Sequence, residues 1–473
     1  MTEVETKEEL KPEKEPENHE KLDFKKILPI FIIVLTDLMG LTVIIPLLPL
    51  YAAAFGATPF LIGLLGGAYP AMQFIGAPLL GRLSDRYGRK PVLIVSQLGT
   101  FAGFILLGFA GSLWMLFLAR IIDGISGANI STAQAAISDS TTEETRTQGL
   151  GLIGAAFGIG FILGPVIAFA ALAISGNDYR VPAFVAAGFS GLSILLTWLL
   201  FHETLPVDER GEDAQEEGRL SLGSMFKALA RPAVGILLVM MFVQQVAFGG
   251  LEQLLSLFTL NRLGLNASGN SIVFVFVGLI VVAVQGGFIG PWSRKIGDRR
   301  LIYLGLISLA LGLFLLALTP RQAVPWYSRA ELQAELFASG DFRTHESPTT
   351  RNLSVSIPSG EAKGWLGLGW VLLAMVPSAV GGGLLQPSIN SLITKRVAEA
   401  EIGGILGISA AFLSGANAVA PVLGGAVFQA IGPSWPFWLG GILLVVLLLA
   451  ALRYLKPGKE ERAASGIAHP IEG

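Results

Sequence analysis

The sequence contains no cysteine, and only 14% of its 473 residues are charged. Disulfide bonds and thiolate metal sites are therefore excluded. Histidine is scarce as well, and the four histidines lie outside the centres of the apolar runs: His19, His202, His345 and His469. No His/Glu metal spacing and no Gly-rich phosphate loop is present. We therefore expect no enzyme activity, no metal, no cofactor and no direct use of ATP.

The chain is rich in apolar residues. Hydrophobic residues make up 52% of the chain, and many apolar windows are longer than the roughly 18 residues that cross a bilayer. The 58 glycines are typical of membrane helices, where small residues let neighbouring backbones approach closely. Twelve spans are predicted, at about 27–53, 59–81, 91–110, 112–137, 148–172, 181–202, 232–260, 270–292, 300–319, 365–392, 401–429 and 434–456.

Basic residues mark the loops on one side of these spans. Those loops carry Arg82, Arg86, Arg89, Lys90, Arg146, Arg294, Lys295, Arg299, Arg300, Lys395 and Arg396. The opposite short loops are nearly bare, with single arginines at Arg180 and Arg262. Because positive loops stay in the cytoplasm and an even number of spans returns the chain to its starting side, both termini are predicted to be cytoplasmic. The chain is thus predicted to be a multi-pass protein of the cell membrane.

Polar segments divide the spans into two groups of six. The predicted fold class is an all-α integral membrane protein made of two pseudo-symmetric six-helix bundles. Its segments are a cytoplasmic tail (1–26), an N-terminal bundle (27–202), a cytoplasmic linker (203–231), a C-terminal bundle (232–456) and a second tail (457–473). The first tail mixes Lys and Glu without an apolar centre, so it is expected to be solvated and not to be a cleaved signal peptide.

A polar insert at 320–364 separates spans nine and ten on the outer side. Within it, Ser328-x-x-Glu331 is typical of a capping box that opens a helix, which Gly340 would end. Two interpretations stay open for this insert. It is either a partly disordered decoration or a segment that acts as a lid or binds a partner.

The two halves repeat one another. The charged hinge from Gly81 to Lys90 returns at 290–299 with Gly, Ser, a basic residue and Gly at the same spacing, but Asp85 and Arg89 become Arg294 and Asp298. Equivalent prolines, Pro165 and Pro421, are predicted to interrupt spans five and eleven. Two such halves predict one central site that is reached alternately from either side.

Several short motifs resemble those of a known family. They are Asp37-x-x-Gly40 with Pro46 and Pro49 in span one, Gly81 to Lys90 after span two, Arg120 and Gly124 in span four, Gly160-x-x-x-Gly164-Pro165 in span five, and Phe201-x-Glu203-Thr204 after span six. Together they resemble the major facilitator superfamily, and more narrowly its twelve-helix drug/proton antiporters of the tetracycline-efflux type. The chain departs from that type by lacking an acidic residue in span three, by adding Asp123 beside Arg120, and by carrying the insert.

Charges inside the spans are the candidates for substrate and proton coupling, because a charge in hydrocarbon costs several kcal/mol and marks a cavity, a partner or a proton path. Asp37 is predicted near the midplane, and Arg120 and Asp123 lie at a similar depth, one turn apart. A buried carboxylate suits proton binding, and a nearby cation would modulate it. The alternative is that Arg120 and Asp123 only neutralise each other, and that Asp37 is structural.

Uncharged polar residues in spans seven and ten are further candidates, namely Gln245, Gln386 and Asn390, because the resemblance places both spans along the cavity. The alternative for each is an ordinary hydrogen bond between helices. Glu252, about 20 residues into span seven, is interpreted as a rim residue or gate.

The first hinge is predicted to be a conformational switch made of Gly81, Asp85, Arg86, Gly88, Arg89 and Asp139. The resemblance implies that Asp85 meets the N-terminal end of span eleven and that Arg89 pairs with Asp139, holding the outward-open state. The alternative is a loop that only sets topology. A helix-break motif is predicted at Gly160, Gly164, Pro165 and Pro421.

The predicted function is proton-coupled export of small amphiphilic compounds or drugs. The expected partners are the small-molecule substrate, protons and the lipid bilayer, without nucleic acid, and the protein is expected to be a monomer. Two alternatives remain: a transporter of the same fold for a metabolite, sugar, peptide or siderophore, and a transport-inactive membrane sensor or scaffold.

Overall fold

The computed structural model describes residues 24–210, 222–340, 354–398 and 401–455. Within these ranges, twelve helices are long and apolar enough to cross a membrane. The prediction of an all-α membrane fold with twelve spans is confirmed. The two tails and the central part of the insert, residues 341–353, lie outside the described residues.

The N-terminal bundle contains six spans built from eight helices. They are α1 (Phe24–Ile44), α2 (Leu48–Ala54), α3 (Pro59–Tyr87), α4 (Arg89–Gly108), α5 (Leu113–Ser126), α6 (Asn129–Asp139), α7 (Glu143–Ser175) and α8 (Arg180–Leu200). Span one is Lys26–Ile44 of α1, which α2 follows after a short turn, and α5 and α6 together form span four.

The linker between the bundles is partly helical. It has a short 3₁₀ turn at Val207–Glu209 and a helix, α9 (Leu222–Ala230), which packs on the start of the next bundle. The sequence pattern predicts only a polar linker here, and α9 is an addition to it. The C-terminal bundle follows with α10 (Pro232–Leu263), α11 (Ala267–Val282), a π-helical turn (Ala283–Phe288), α12 (Ile289–Ile296), α13 (Asp298–Ala317), α14 (Arg329–Gly340), α15 (Leu366–Thr394), α16 (Ile402–Ala430) and α17 (Trp435–Tyr454).

The prolines of spans five and eleven do not interrupt their helices. Pro165 lies inside the continuous helix α7, and Pro421 lies inside α16. The prediction of a helix break at these two positions is wrong. A proline removes one backbone donor, but close packing against neighbouring helices preserves the rest of the ladder, as membrane helices commonly allow. Gly164 provides such packing, because a Cβ atom there would lie 2.2 Å from Thr42 Oγ1 of α1.

Each bundle has its own apolar packing. In the first, α1 packs on α7 and α8, while α4 packs on α5 and α8. In the second, α13 lies between α15 and α17. We name the two ends of the molecule by what they carry: the hinge face holds residues 81–90 and 290–299, and the insert face holds residues 320–340 and 354–364.

The bundles meet along a seam formed by two helix pairs, α3 with α16 and α7 with α11. Near the insert face the backbones touch: a Cβ atom on Gly63 would lie 2.1 Å from the carbonyl oxygen of Pro421. Towards the hinge face the contact is lost. Added Cβ atoms at Gly154 of α7 and Gly404 of α16 would meet no atom within 4 Å, and Ile75 of α3 is 62% exposed. The seam is therefore closed at the insert face and open towards the hinge face.

Candidate functional site

Asp37 lies on α1 inside the N-terminal bundle. Its Oδ2 accepts a hydrogen bond of 3.0 Å from Asn129 Nδ2 at the start of α6, whereas its buried Oδ1 has no hydrogen-bond partner among the described residues. A cavity of about 10 Å³, room for about one water molecule, adjoins the carboxylate. The cavity is lined by Ile33, Val34, Asp37, Leu38, Leu93, Gln97, Asn129, Ile130 and Ala133. The carboxylate thus keeps one oxygen free to take a proton or a cationic group.

Arg120 and Asp123 form an ion pair within α5, one turn apart. Both side chains are almost fully buried, with relative exposures of 3% and 1%. The guanidinium also lies over two rings, 5.4 Å from the centroid of Tyr69 and 5.8 Å from that of Phe104. These contacts match the alternative in which the two charges neutralise each other. A role for this pair in coupling stays a prediction.

The polar candidates of the second bundle fall into two sets. Gln245 on α10 donates to Asn417 Oδ1 of α16 at 2.7 Å and accepts from Gln244 at 3.3 Å. Gln386 and Asn390 lie one turn apart on α15, and Asn390 Oδ1 is buried without a hydrogen-bond partner among the described residues. Gln245 is thus tied to α16, which also forms the seam with α3, while the α15 pair is not joined to it by any described hydrogen bond.

The first hinge centres on Arg89, the first residue of α4. Its Nε donates to Asp139 Oδ2 at 2.9 Å, and one terminal nitrogen donates to Ser84 at 2.8 Å and to Asp85 at 2.5 Å. The structure therefore has the ion pair between Arg89 and Asp139 that the resemblance implies. The pair lies within the first bundle and is present while the seam is open at the hinge face, so it does not by itself hold the outward-open state. Asp85 turns to Arg89 here instead of to α16, in a conformation whose seam is open at the hinge face. Its contact with the N-terminal end of α16 stays a prediction for the opposite state.

The cap of α4 comes from the linker, which the sequence analysis did not predict. Glu203 accepts from the backbone N–H groups of Arg89 at 2.8 Å and Lys90 at 3.2 Å. Helix α4 begins with these two cations and has no acidic residue in its first turn, which is unfavourable at the positive end of a helix. Glu203 supplies the missing negative charge. The Phe201-x-Glu203-Thr204 motif was the available signal, since it places a carboxylate just after span six.

Gly88, which precedes α4, allows this cap to form. Its φ of +98° lies in the region that favours glycine. A Cβ atom at this position would lie 2.4 Å from Glu203 Oε2. Both the backbone angle of Gly88 and the close approach of the Glu203 carboxylate therefore require glycine at this position.

The second hinge repeats the first with the charges exchanged. Asp298, the first residue of α13, accepts from Lys395 Nζ at 2.7 Å and from Ser391 Oγ at 2.6 Å, at the end of α15. It also accepts from Ser293, the equivalent of Ser84. Each hinge thus ties the start of one helix to the end of another, through an arginine and an aspartate in the first bundle and an aspartate and a lysine in the second. Asp298 provides its own negative charge at the helix N-terminus, so no counterpart of Glu203 is needed.

The insert bridges the two bundles at the insert face. Its helix α14 runs Arg329–Gly340 and begins where Glu331 N–H donates to Ser328 Oγ at 3.4 Å. The predicted start of the helix is therefore confirmed, and its end at Gly340 stays a prediction because residues 341–353 lie outside the described residues. The described parts of the insert contact both bundles, and its role as a lid stays a prediction.

Glu335 of α14 is the centre of this bridge, which we call the clasp. Tyr179 OH of the first bundle donates to its Oε1 at 2.9 Å, and Asn266 Nδ2 of the second donates to its Oε2 at 3.0 Å. Burial raises the pKa of the Glu335 carboxyl, and the bonds from Asn266 and Tyr179 oppose that rise only in part. Burial and the adjacent Glu335 also hold the pKa of the Tyr179 phenol well above its usual value. The sequence analysis did not predict the clasp.

Two more bonds attach the later part of the insert. Ser354 Oγ donates to the carbonyl of Ala57 in the first bundle at 2.5 Å, and Asn261 Nδ2 donates to the carbonyl of Ser356 at 2.7 Å in the second. The insert therefore spans the closed end of the seam at more than one point. Among the described residues, no cluster of His, Cys, Asp or Glu is arranged to hold a metal ion.

Two six-helix bundles around a seam, with equivalent hinges and polar groups at the midplane, define the class of secondary transporters. A model of the Major Facilitator Superfamily matches residues 30–329 and 362–471. The chain belongs to this family and is a multi-pass membrane transporter.

Relatives with known roles are similar over nearly the whole chain. Tetracycline resistance protein, class E, of Escherichia coli is 28% identical over 453 residues, covering 94% of this chain and 97% of that protein. Multidrug resistance protein 2 of Bacillus subtilis (strain 168) is 24% identical over 422 residues, covering 88% and 93%. Among solved structures, the human organic anion transporter MFSD10 (TETRAN) superposes with a TM-score of 0.60 at 21% identity, covering 91% of this chain and 100% of that one. The nucleoside transporter NupG has the same fold, with a TM-score of 0.64 at 14% identity and coverage of 92% and 100%.

Proposed function

We propose that the chain is a proton-coupled exporter of small amphiphilic compounds that works by alternating access between its two bundles. The observation that carries the proposal is the Asp37 carboxylate, which keeps one buried oxygen without a partner beside a small cavity. A buried carboxylate in this state binds a proton or an organic cation more readily than a paired one. The relatives that are named for tetracycline and multidrug resistance support export as the direction.

The seam supplies the conformational half of the mechanism. Its closed end at the insert face and its open end at the hinge face describe one of the two states that alternating access requires. If the basic loops are cytoplasmic, as the positive-inside rule predicts, this state faces the cytoplasm. Substrate would enter from that side, and the bundles would then rock until the seam closes at the hinge face and opens at the insert face.

Asp37 acts in this scheme as an acceptor that is neutralised in turn by a proton and by substrate. Asn129 holds one carboxylate oxygen and so fixes the direction of the other. A proton on that second oxygen removes the charge without disturbing the bond to Asn129. A substrate cation that approaches the carboxylate displaces the proton, because the cation then neutralises the negative charge that the proton had neutralised.

Asp37→Asn is the direct test, because the amide keeps the shape and loses the titration. The full-length protein in proteoliposomes would be given a pH gradient and a fluorescent lipophilic cation, with Asp178→Asn in an outer loop as the matched control. We expect the gradient-driven flux to fall at least about tenfold in Asp37→Asn, because the loss of one proton site removes coupling worth about 1.4 kcal/mol or more. A flux equal to that of the control variant would reject the role of Asp37.

A further inference from the structure

Glu252 is an isolated carboxylate in the second bundle. It is residue 21 of the 32 in α10, well inside the span Val234–Leu263. The interpretation of Glu252 as a rim residue is therefore wrong, because α10 continues for about three more turns beyond it. Apart from Asp298 at the hinge end of α13, the described spans of this bundle contain no other Asp or Glu. A charge at this depth costs several kcal/mol unless something compensates it. The side chain therefore needs a partner, a proton or water.

No such partner is supplied by the described protein. Among the described residues, the Glu252 carboxylate receives no hydrogen bond and forms no ion pair. The nearest arginine along α10, Arg262, lies ten residues away, about 15 Å towards the insert face, where it donates to Ser434. Arg120 of the other bundle is bonded to Asp123. Both arginines are thus bonded to other residues.

Helical spacing and the contacts of its neighbours show which way Glu252 faces. Residues 245, 249 and 256 share its side of α10, because they lie seven and three residues before it and four after it. Gln245 contacts Asn417 of α16, and Ser256 Oγ donates to the carbonyl of Pro46 in the first bundle at 3.0 Å. Glu252 is itself only half-buried. Its side chain therefore faces the seam between the bundles.

The depth of Glu252 relates it to Asp37. The bond from Ser256 to Pro46 marks the closed end of the seam. At about 1.5 Å per residue, Glu252 lies about 6 Å inside this bond along α10, and Asp37 lies about 13 Å inside it along α1. The two carboxylates, one from each bundle, are thus separated by about 7 Å along the transport axis.

We propose that Glu252 is a second coupling site, which binds a proton or the cationic group of an amphiphilic substrate just inside the closed end of the seam. The inference rests on the proposed function and adds a site in the second bundle to the one at Asp37. When the insert face opens, water reaches the ionised carboxylate and stabilises it. When a proton from that water binds, the carboxylate becomes neutral and the seam closes over it. The proton leaves to water on the hinge face once the bundles have rocked back.

Glu252→Gln separates coupling from transport, because it imitates a carboxyl that is always protonated. Two fluxes of a fluorescent lipophilic cation would be measured in proteoliposomes with the full-length protein. One is flux driven by a pH gradient, and the other is exchange of labelled for unlabelled compound without a gradient. We expect Glu252→Gln to lose gradient-driven flux at least about tenfold and to keep exchange. Glu331→Gln, an exposed carboxylate of α14, should keep both.

Glu252→Asp distinguishes a lost carboxylate from a damaged fold. It should restore part of the gradient-driven flux, because it retains a titrating group one methylene shorter. Gradient-driven flux at the wild-type level in Glu252→Gln would overturn the inference, as would loss of both fluxes in the Gln and Asp variants alike. If Asp37→Asn abolishes gradient-driven flux while Glu252→Gln does not, the proposed function stands and only this inference fails. A wild-type protein without any gradient-driven flux would overturn both.

Discussion

Removal of the clasp should shift the bundles towards a conformation that is open at the insert face. Glu335→Ala deletes both bonds of the clasp and leaves the buried Tyr179 hydroxyl without its partner. The two hydrogen bonds contribute about 0.5–1.5 kcal/mol each, but Glu335 is only half-buried, so water will replace part of this loss. A net change of about 1–2 kcal/mol raises the open population about 5- to 30-fold.

Because the chain contains no native cysteine, a single introduced cysteine can be labelled without background to test this prediction. Ser256→Cys places one thiol where the side chain is 1% exposed and bonded across the seam. A membrane-impermeant maleimide applied from the insert face should label it only when that end of the seam opens. The labelling rate should rise about 5- to 30-fold in Glu335→Ala, whereas the exposed residue Glu331, changed to Ala, should leave it unaltered. Equal labelling rates with and without Glu335→Ala would refute the reasoning.

The clasp should also respond to pH. Burial raises the pKa of Glu335 above its usual value of 4.5 in the closed state, so the closed state binds a proton more tightly than the open state. The clasp is therefore fully stabilised below pH 4.5 and is weakened as the pH rises through the raised pKa. The labelling rate of Ser256→Cys is divided by that of a free thiol at the same pH, which removes the rise of the thiolate fraction, and this ratio should increase across that window. Glu335→Gln should abolish this dependence, and Asp178→Asn, the other carboxylate of the Tyr179 loop, should preserve it.

Two further substitutions test the seam and the first hinge. Gly63→Ala inserts a methyl group that would lie 2.1 Å from the Pro421 carbonyl oxygen. The resulting overpacking, about 1–3 kcal/mol, should favour opening at the insert face and increase the labelling of Ser256→Cys. Gly154→Ala should have no effect. Labelling unchanged by Gly63→Ala would contradict the described closure. Glu203→Gln should lower the thermal unfolding temperature of the purified protein, because α4 loses about 1–2 kcal/mol of charged capping. The matched change Asp208→Asn, at an exposed residue of the linker, should leave the unfolding temperature unchanged. Equal unfolding temperatures of the two variants would count against the cap.

The spans and hinges could be predicted from the sequence because their signals are local. A run of about 20 apolar residues predicts a membrane helix by itself, and Ser328-x-x-Glu331 predicted the start of α14. The spacing of Arg120 and Asp123 indicated that they could touch. It did not indicate whether they would pair or would line a cavity, because that depends on how α5 is rotated within the bundle.

The remaining features depend on contacts that are distant in sequence. Tyr179 and Glu335 are separated by 156 residues, and neither lies in a pattern that predicts the other. Helix continuity through Pro165 follows from packing against α1, which the proline itself does not reveal. The cap of α4 by Glu203 lies between these cases, since its motif was visible but its partner, the start of span three, is 114 residues away.

The opposite polarity of the two hinges has a consequence for how a duplicated chain assembles. Arg89 and Asp298 occupy equivalent positions, and their partners are Asp139 and Lys395. An exchange of partners between the halves would bring arginine to lysine and aspartate to aspartate, and both pairs repel. Had the two hinges kept the same polarity, each helix start could have paired equally well with the helix end of the other half. The reversed charges therefore allow each half of the nascent chain to recognise its own helix during insertion into the membrane.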